Sequence, residues 1–64
     1  MAAEWLIEQN PDGTCDIKRD RRPATFTYTL DAAKLWLEQD SRSTYRAGEP
    51  VYIVDTHGQR ERYR

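Results

Sequence analysis

Residues 24–39 read ATFTYTLDAAKLWLEQ, and within them the spacing of apolar positions changes from every second residue to a helical repeat. Phe26, Tyr28 and Leu30 alternate with Thr25, Thr27 and Thr29, all residues that favour extended backbone. The alternation predicts a strand with the aromatic row in the core and the threonine row facing water. Thr29 then has the chemistry of a helix N-cap, and Asp31 in the first turn suits the positive end of the helix dipole. A helix is expected from about residue 30 to 39, with Leu30, Ala33, Trp36 and Leu37 on one face and Lys34, Glu38 and Gln39 pointing away. Leu35 falls outside that stripe.

Upstream of this stretch, EWLIEQ, NPDG and TCDIKR describe a hairpin. Pro11 presets the turn and Gly13 supplies a left-handed residue. A loop of residues 11–13 sets Ile7 opposite Ile17, Gln9 opposite Cys15 and Trp5 opposite Arg19, which gathers Trp5, Ile7, Cys15 and Ile17 on one face. The same register opposes Glu8 to Asp16, a small like-charge cost. The basic run KRDRR, residues 18–22, is expected as a loop that Pro23 stops from continuing as regular strand.

Downstream, SRSTYRAGEP forms a polar connection, and VYIVD, THG and QRERYR form a second hairpin. A three-residue loop with Gly58 left-handed opposes Val51 to Tyr63 and Ile53 to Glu61, whereas a two-residue His57-Gly58 turn would set Val51 and Ile53 on one face with Arg60, Arg62 and Arg64; the first buries better and is preferred. The order is β-β-β-α-β-β: a single α+β domain over residues 1–64, with a small antiparallel sheet of about five strands and one helix on one face. Trp5, Phe26, Tyr28 and Trp36 are expected to dominate the core.

Composition narrows the function. A 64-residue chain forms a marginal core, of the order of 3–5 kcal/mol. Its single cysteine and single histidine allow neither an internal disulfide nor a four-ligand zinc site. Oligomerisation or unusually close packing is therefore expected to stabilise it, and a homodimer is one form of that expectation. The N-terminal segment lacks the pattern of a secretory signal and no run reaches the length of a membrane span, so a cytoplasmic protein without membrane contact is expected.

Chemistry is sparse. His57 lies in a turn and Cys15 in a core position, the three glycines are isolated, and Glu4, Glu8, Asp12 and Asp16 crowd one hairpin as a solvated acidic edge. These features predict no catalytic residues, no metal and no cofactor, hence no enzyme. Two binding surfaces are expected instead. Because one helix covers only one sheet face, Leu6, Tyr52 and Val54 form an apolar cluster on the other, the expected protein interface. Lys18, Arg19, Arg21, Arg22, Arg60, Arg62 and Arg64 are the expected contacts if the partner is a nucleic acid. Alternate strand residues lie about 6.6 Å apart, close to the spacing of phosphates along one strand. A formal net charge of -1 weakens that electrostatic footprint.

Over EWLIEQNPDGTCDIKRDRRPATFTYTLDAAKLWLEQD, the order of hairpin, strand ending in Thr and Ala-containing helix with a Trp resembles the three-stranded arm-binding domains of tyrosine recombinases. That resemblance implies DNA binding by the sheet face. The whole layout, including VYIVDTHGQ, is similar to small bacterial and phage domains of unknown function and to phage-encoded inhibitors, among them anti-CRISPR proteins. It implies a non-enzymatic binder whose open sheet face or charged edge engages a macromolecule.

Overall fold

The computed structural model describes residues 2–64. Strands β1 (Trp5–Gln9), β2 (Cys15–Arg19) and β3 (Arg22–Thr27) are followed by helix α1 (Leu30–Gln39), then β4 (Val51–Val54) and β5 (Arg60–Arg62). They form one five-stranded sheet in the order β3-β2-β1-β4-β5. Among the described residues no helix is long and apolar enough to cross a membrane.

Both flanking hairpins take the expected registers. Ile7 pairs with Ile17, Gln9 with Cys15 and Trp5 with Arg19. In the second hairpin Ile53 pairs with Glu61 and Val54 with Arg60. Gly13 and Gly58 occupy positive φ at 90° and 80°, which a side chain would disfavour.

The centre of the sheet departs from the wholly antiparallel expectation: β1 and β4 run parallel, with Leu6 beside Tyr52 and Ile7 beside Ile53. The cause is the crossover. Helix α1 carries the chain from β3 back across β2 and β1, and a strand–helix–strand passage returns the backbone in its original direction. The sheet is therefore mixed, with β3 and β5 as its free edges.

A second departure lies in β3. Thr25 pairs with Ile17 and Thr27 with Cys15, but Lys18 pairs with Pro23, so the register shifts and Ala24 is the extra residue. Pairing with Cys15 and Ile17 turns the threonine row toward the helix, where Thr27 is buried. Phe26 and Tyr28, expected in the core, are 51% and 79% exposed. Alternation alone is symmetric between the two faces; the bulge, beside a proline on an edge strand, sets the phase.

The basic run is not a loop. Lys18 and Arg19 end β2, Arg22 and Pro23 begin β3, and only Asp20 and Arg21 turn. Both have positive φ, 50° and 69°, as a tight type I′ hairpin requires. Asp20 anchors the turn to β1: its Oδ1 accepts from the Glu4 N–H at 2.9 Å and its own N–H donates to the Glu4 carbonyl.

The core lies between the sheet and α1. Trp5, Ile7, Cys15, Ile17, Ala33, Leu37 and Val51 are essentially inaccessible, with Leu30, Trp36, Tyr45, Ile53 and Tyr63 packed around them. Thr29 caps the helix, accepting from the Ala32 N–H at 3.0 Å. Two acids at the helix C-terminus, unfavourable to the dipole, are answered by arginines. Arg64 pairs with Glu38, and Arg42 bonds Asp40 through Nε at 3.1 Å.

Candidate functional surfaces

Leu6, Tyr52 and Val54 do share the uncovered face. Leu6 and Tyr52 are direct neighbours, and Val54 lies beside Glu8. All three are half-buried, because charged side chains lie over them. The Arg60 guanidinium stacks on the Tyr52 ring at 4.8 Å and bonds Glu4 at 2.6 Å. Lys18 Nζ reaches Glu8 at 2.7 Å, and that bond, more than the accompanying charge attraction, raises the Lys18 pKa. Around Leu6, Tyr52 and Val54 the uncovered face is laced with ion pairs.

The large apolar groups that reach the surface lie at the β3 edge. Phe26, Tyr28 and Leu35 are the exposed large hydrophobics among the described residues, and all three line one groove. Its volume is about 530 Å³, with Thr27, Ala32, Trp36, Gln39 and Asp40 completing the walls between β3 and α1. Phe26 and Tyr28 meet edge to face, 5.5 Å between centroids. In the wall, the Trp36 indole N–H is buried without a hydrogen-bond partner, an uncommon and costly state for a buried donor. Leu35 outside the helical stripe was the sequence signal for this groove. The aromatic half was hidden by the misassigned phase of β3.

The seven expected cationic contacts divide into two groups. Lys18, Arg60 and Arg64 are held by Glu8, Glu4 and Glu38. Arg19, Arg21, Arg22 and Arg62 form no ion pair among the described residues and, with Arg46, are all exposed. Strand order places them at one end of the sheet: Arg19 and Arg22 flank the β2–β3 turn, Arg62 pairs beside Tyr52, and Arg46 lies with Arg19 around one cleft. The opposite end carries Asp12, Asp16, Asp31 and Asp55, none of them in an ion pair among the described residues. The basic end also holds Asp20, exposed in the β2–β3 turn and bonded to the Glu4 N–H, so the molecule is partly polarised along its strands.

One buried carboxylate went unnoticed in the sequence. Glu49 accepts from the Ala3 N–H at 2.9 Å, the Trp5 indole at 3.2 Å and the Arg46 N–H at 2.6 Å. Burial alone would raise its pKa, but the Arg46 and Ala3 N–H groups, the Trp5 indole and the Arg19 charge outweigh it and hold the carboxyl below its ordinary range. Every polar bond it makes ties the N-terminus and the loop after α1 to the core, so it reads as structural. Cys15 is buried, and burial, with the neighbouring Asp16 charge, pushes its thiol up, away from thiolate reactivity. Among the described residues no group of three or more His, Cys, Asp or Glu is placed to hold a metal.

The chain is thus a small α+β domain with a polar charge distribution and an apolar groove at one sheet edge. Nothing matches it among protein-family models, curated proteins or solved structures. Its own residues carry the functional reading.

Proposed function

We propose that this chain is a small non-enzymatic protein-interaction module whose contact surface is the groove between β3 and α1. The observation that carries the reading is the confinement of Phe26, Tyr28 and Leu35 to one groove, since clustered exposed apolar groups mark interaction sites more often than scattered ones do. An aromatic pair beside a helix supplies the rigid anchors on which interface energy concentrates. A regulator or inhibitor acting by occlusion, the role implied by the resemblance to phage-encoded inhibitors, needs no more than such a surface. The expected interface at Leu6, Tyr52 and Val54 becomes a flank of it, reached across Phe26 on the same sheet face. Comparing Phe26→Ser with Leu6→Ser as baits for proximity labelling in cells tests the choice. Labelled partners should drop out for Phe26→Ser and persist for Leu6→Ser; the reverse pattern removes the groove from the reading.

A nucleic-acid reading is favoured by one observation, the gathering of Arg19, Arg21, Arg22, Arg46 and Arg62 at one end. Such a binder loses affinity steeply as salt rises, through counterion release. Fluorescence anisotropy with single-stranded and duplex probes at low salt should register binding that Arg22→Glu weakens on every sequence; flat traces dispose of this reading.

A further inference from the structure

Resting on the groove as an interaction surface, we infer that its occupant is a second copy of this chain, docked about a two-fold axis that passes close to Phe26. Three features of the molecule converge on this partner.

The first is the shape of the free edge. At its beginning, β3 is blunted by the Asp20–Arg21 turn, by Pro23, which has no N–H to donate, and by the register shift at Ala24. Residues 25–27 are the only regular part of that edge, so an antiparallel approach by an identical strand centres on Phe26. A two-fold axis there, normal to the sheet, sets the two Phe26 rings side by side on the uncovered face and brings the Leu35 and Trp36 walls of the two helices toward each other on the covered face. Self-complementarity of this kind is what an isologous interface demands. The other edge, β5, is three residues long and carries Arg60 and Arg62 as guards.

The second is charge. Antiparallel docking along β3 reverses one copy against the other, so the basic end of each lies beside the acidic end of its partner. Arg21 and Arg22, where β3 begins, and Asp31, just beyond its end in the first turn of α1, lie on opposite sides of Phe26 along this edge. The exposed, unpaired arginines of one copy therefore approach the first helical turn of the other, where Asp31 is exposed and unpaired among the described residues. A parallel approach would bring like charges together, so polarity selects the orientation. The third is size: a 64-residue core gains from any partner that covers its exposed aromatics.

Sedimentation velocity on the full chain, from dilute to near-millimolar protein, tests the inference. A monomer–dimer equilibrium is expected. Phe26→Asp should weaken it by about tenfold or more, the loss typical of removing a central anchor. Arg22→Glu should weaken it too, and Asp31→Arg added to Arg22→Glu should restore it, because the swapped pair again attracts across the interface. Circular dichroism on each variant separates lost association from lost folding, and the charge swap lies at exposed positions remote from the core. A monomer at every concentration overturns the inference, as does a dimer that tolerates Phe26→Asp or that the charge swap fails to restore. These outcomes leave the broader reading intact if Phe26→Ser still loses labelled partners in cells, so the two failures are distinguishable.

Discussion

Glu49 shows how one side chain closes a small fold. Three N–H groups from three segments converge on its carboxylate, among them the indole N–H of the buried Trp5 ring. Glu49→Ala leaves those donors unpaired, at an expected cost of about 2–4 kcal/mol, comparable with the whole stability of a core this size. Urea titration should find the variant largely unfolded at room temperature. The pH dependence follows from the direction of the shift. A carboxyl whose folded pKa lies below its unfolded value stabilises fully above the unfolded pKa of about 4.3 and loses that contribution as pH falls through the folded value. Asp12, Asp40 and Asp55 are also held below their ordinary range, mainly by Thr14, Arg42 and the Gln59 N–H respectively. All four contribute to acid lability. Glu49→Gln removes one of them, so its urea midpoint should fall less steeply below about pH 4.3 than that of the unaltered chain; parallel curves there would remove Glu49 from the account.

At the scale of elements, the β2–β3 hairpin joins local strain to global position. Asp20 suits the left-handed region, because its short carboxylate bonds nearby backbone, and here it holds the Glu4 N–H. Arg21, at φ 69°, has no such compensation, and a non-glycine residue there costs about 1 kcal/mol or more. Arg21→Gly should therefore raise stability by up to about 1 kcal/mol, partly offset by the greater freedom of glycine in the unfolded chain. For a domain this size that is a rise of several degrees in melting temperature; a fall would mean that Arg21 makes a stabilising contact. The same hairpin decides the fate of β3. Residues 24–30 alternate so cleanly that strand character was legible, yet which face is buried depends on one extra residue near Pro23. Helix α1 was legible in both extent and cap, because Thr29, Asp31 and the Leu30–Ala33–Leu37 spacing act locally. Its acidic C-terminus was not explicable locally, since Arg64 arrives from the far end of the chain.

For the whole molecule, the decisive property is the coincidence of a polar charge axis with an apolar edge. Along the chain, charge changes sign from segment to segment; folding sorts these segments because β2–β3 turns at one end of the sheet and β1–β2 at the other. A chain stabilised by a second copy couples folding to association, so its thermal midpoint should rise with protein concentration. Phe26→Asp should flatten that dependence and lower the midpoint at high concentration. Calorimetry at two concentrations suffices to check it, and an unchanged midpoint in the unaltered chain would speak against the coupling.

By itself the sequence determined the order of the elements, the register of the first hairpin, the helix with its cap, and the core set of Trp5, Ile7, Cys15 and Ile17; for the second hairpin it favoured one of two registers, and it hid the β2–β3 hairpin. These depend on turn chemistry and periodicity over a few residues, where local physics is sufficient. Only the tertiary structure decided that β4 runs parallel beside β1, that Phe26 and Tyr28 lie outside, that Glu49 is buried with three donors, and that the unpaired arginines gather at one end. Each of these depends on residues far apart in the chain, whose meeting is governed by strand order and by the phase of a single bulge.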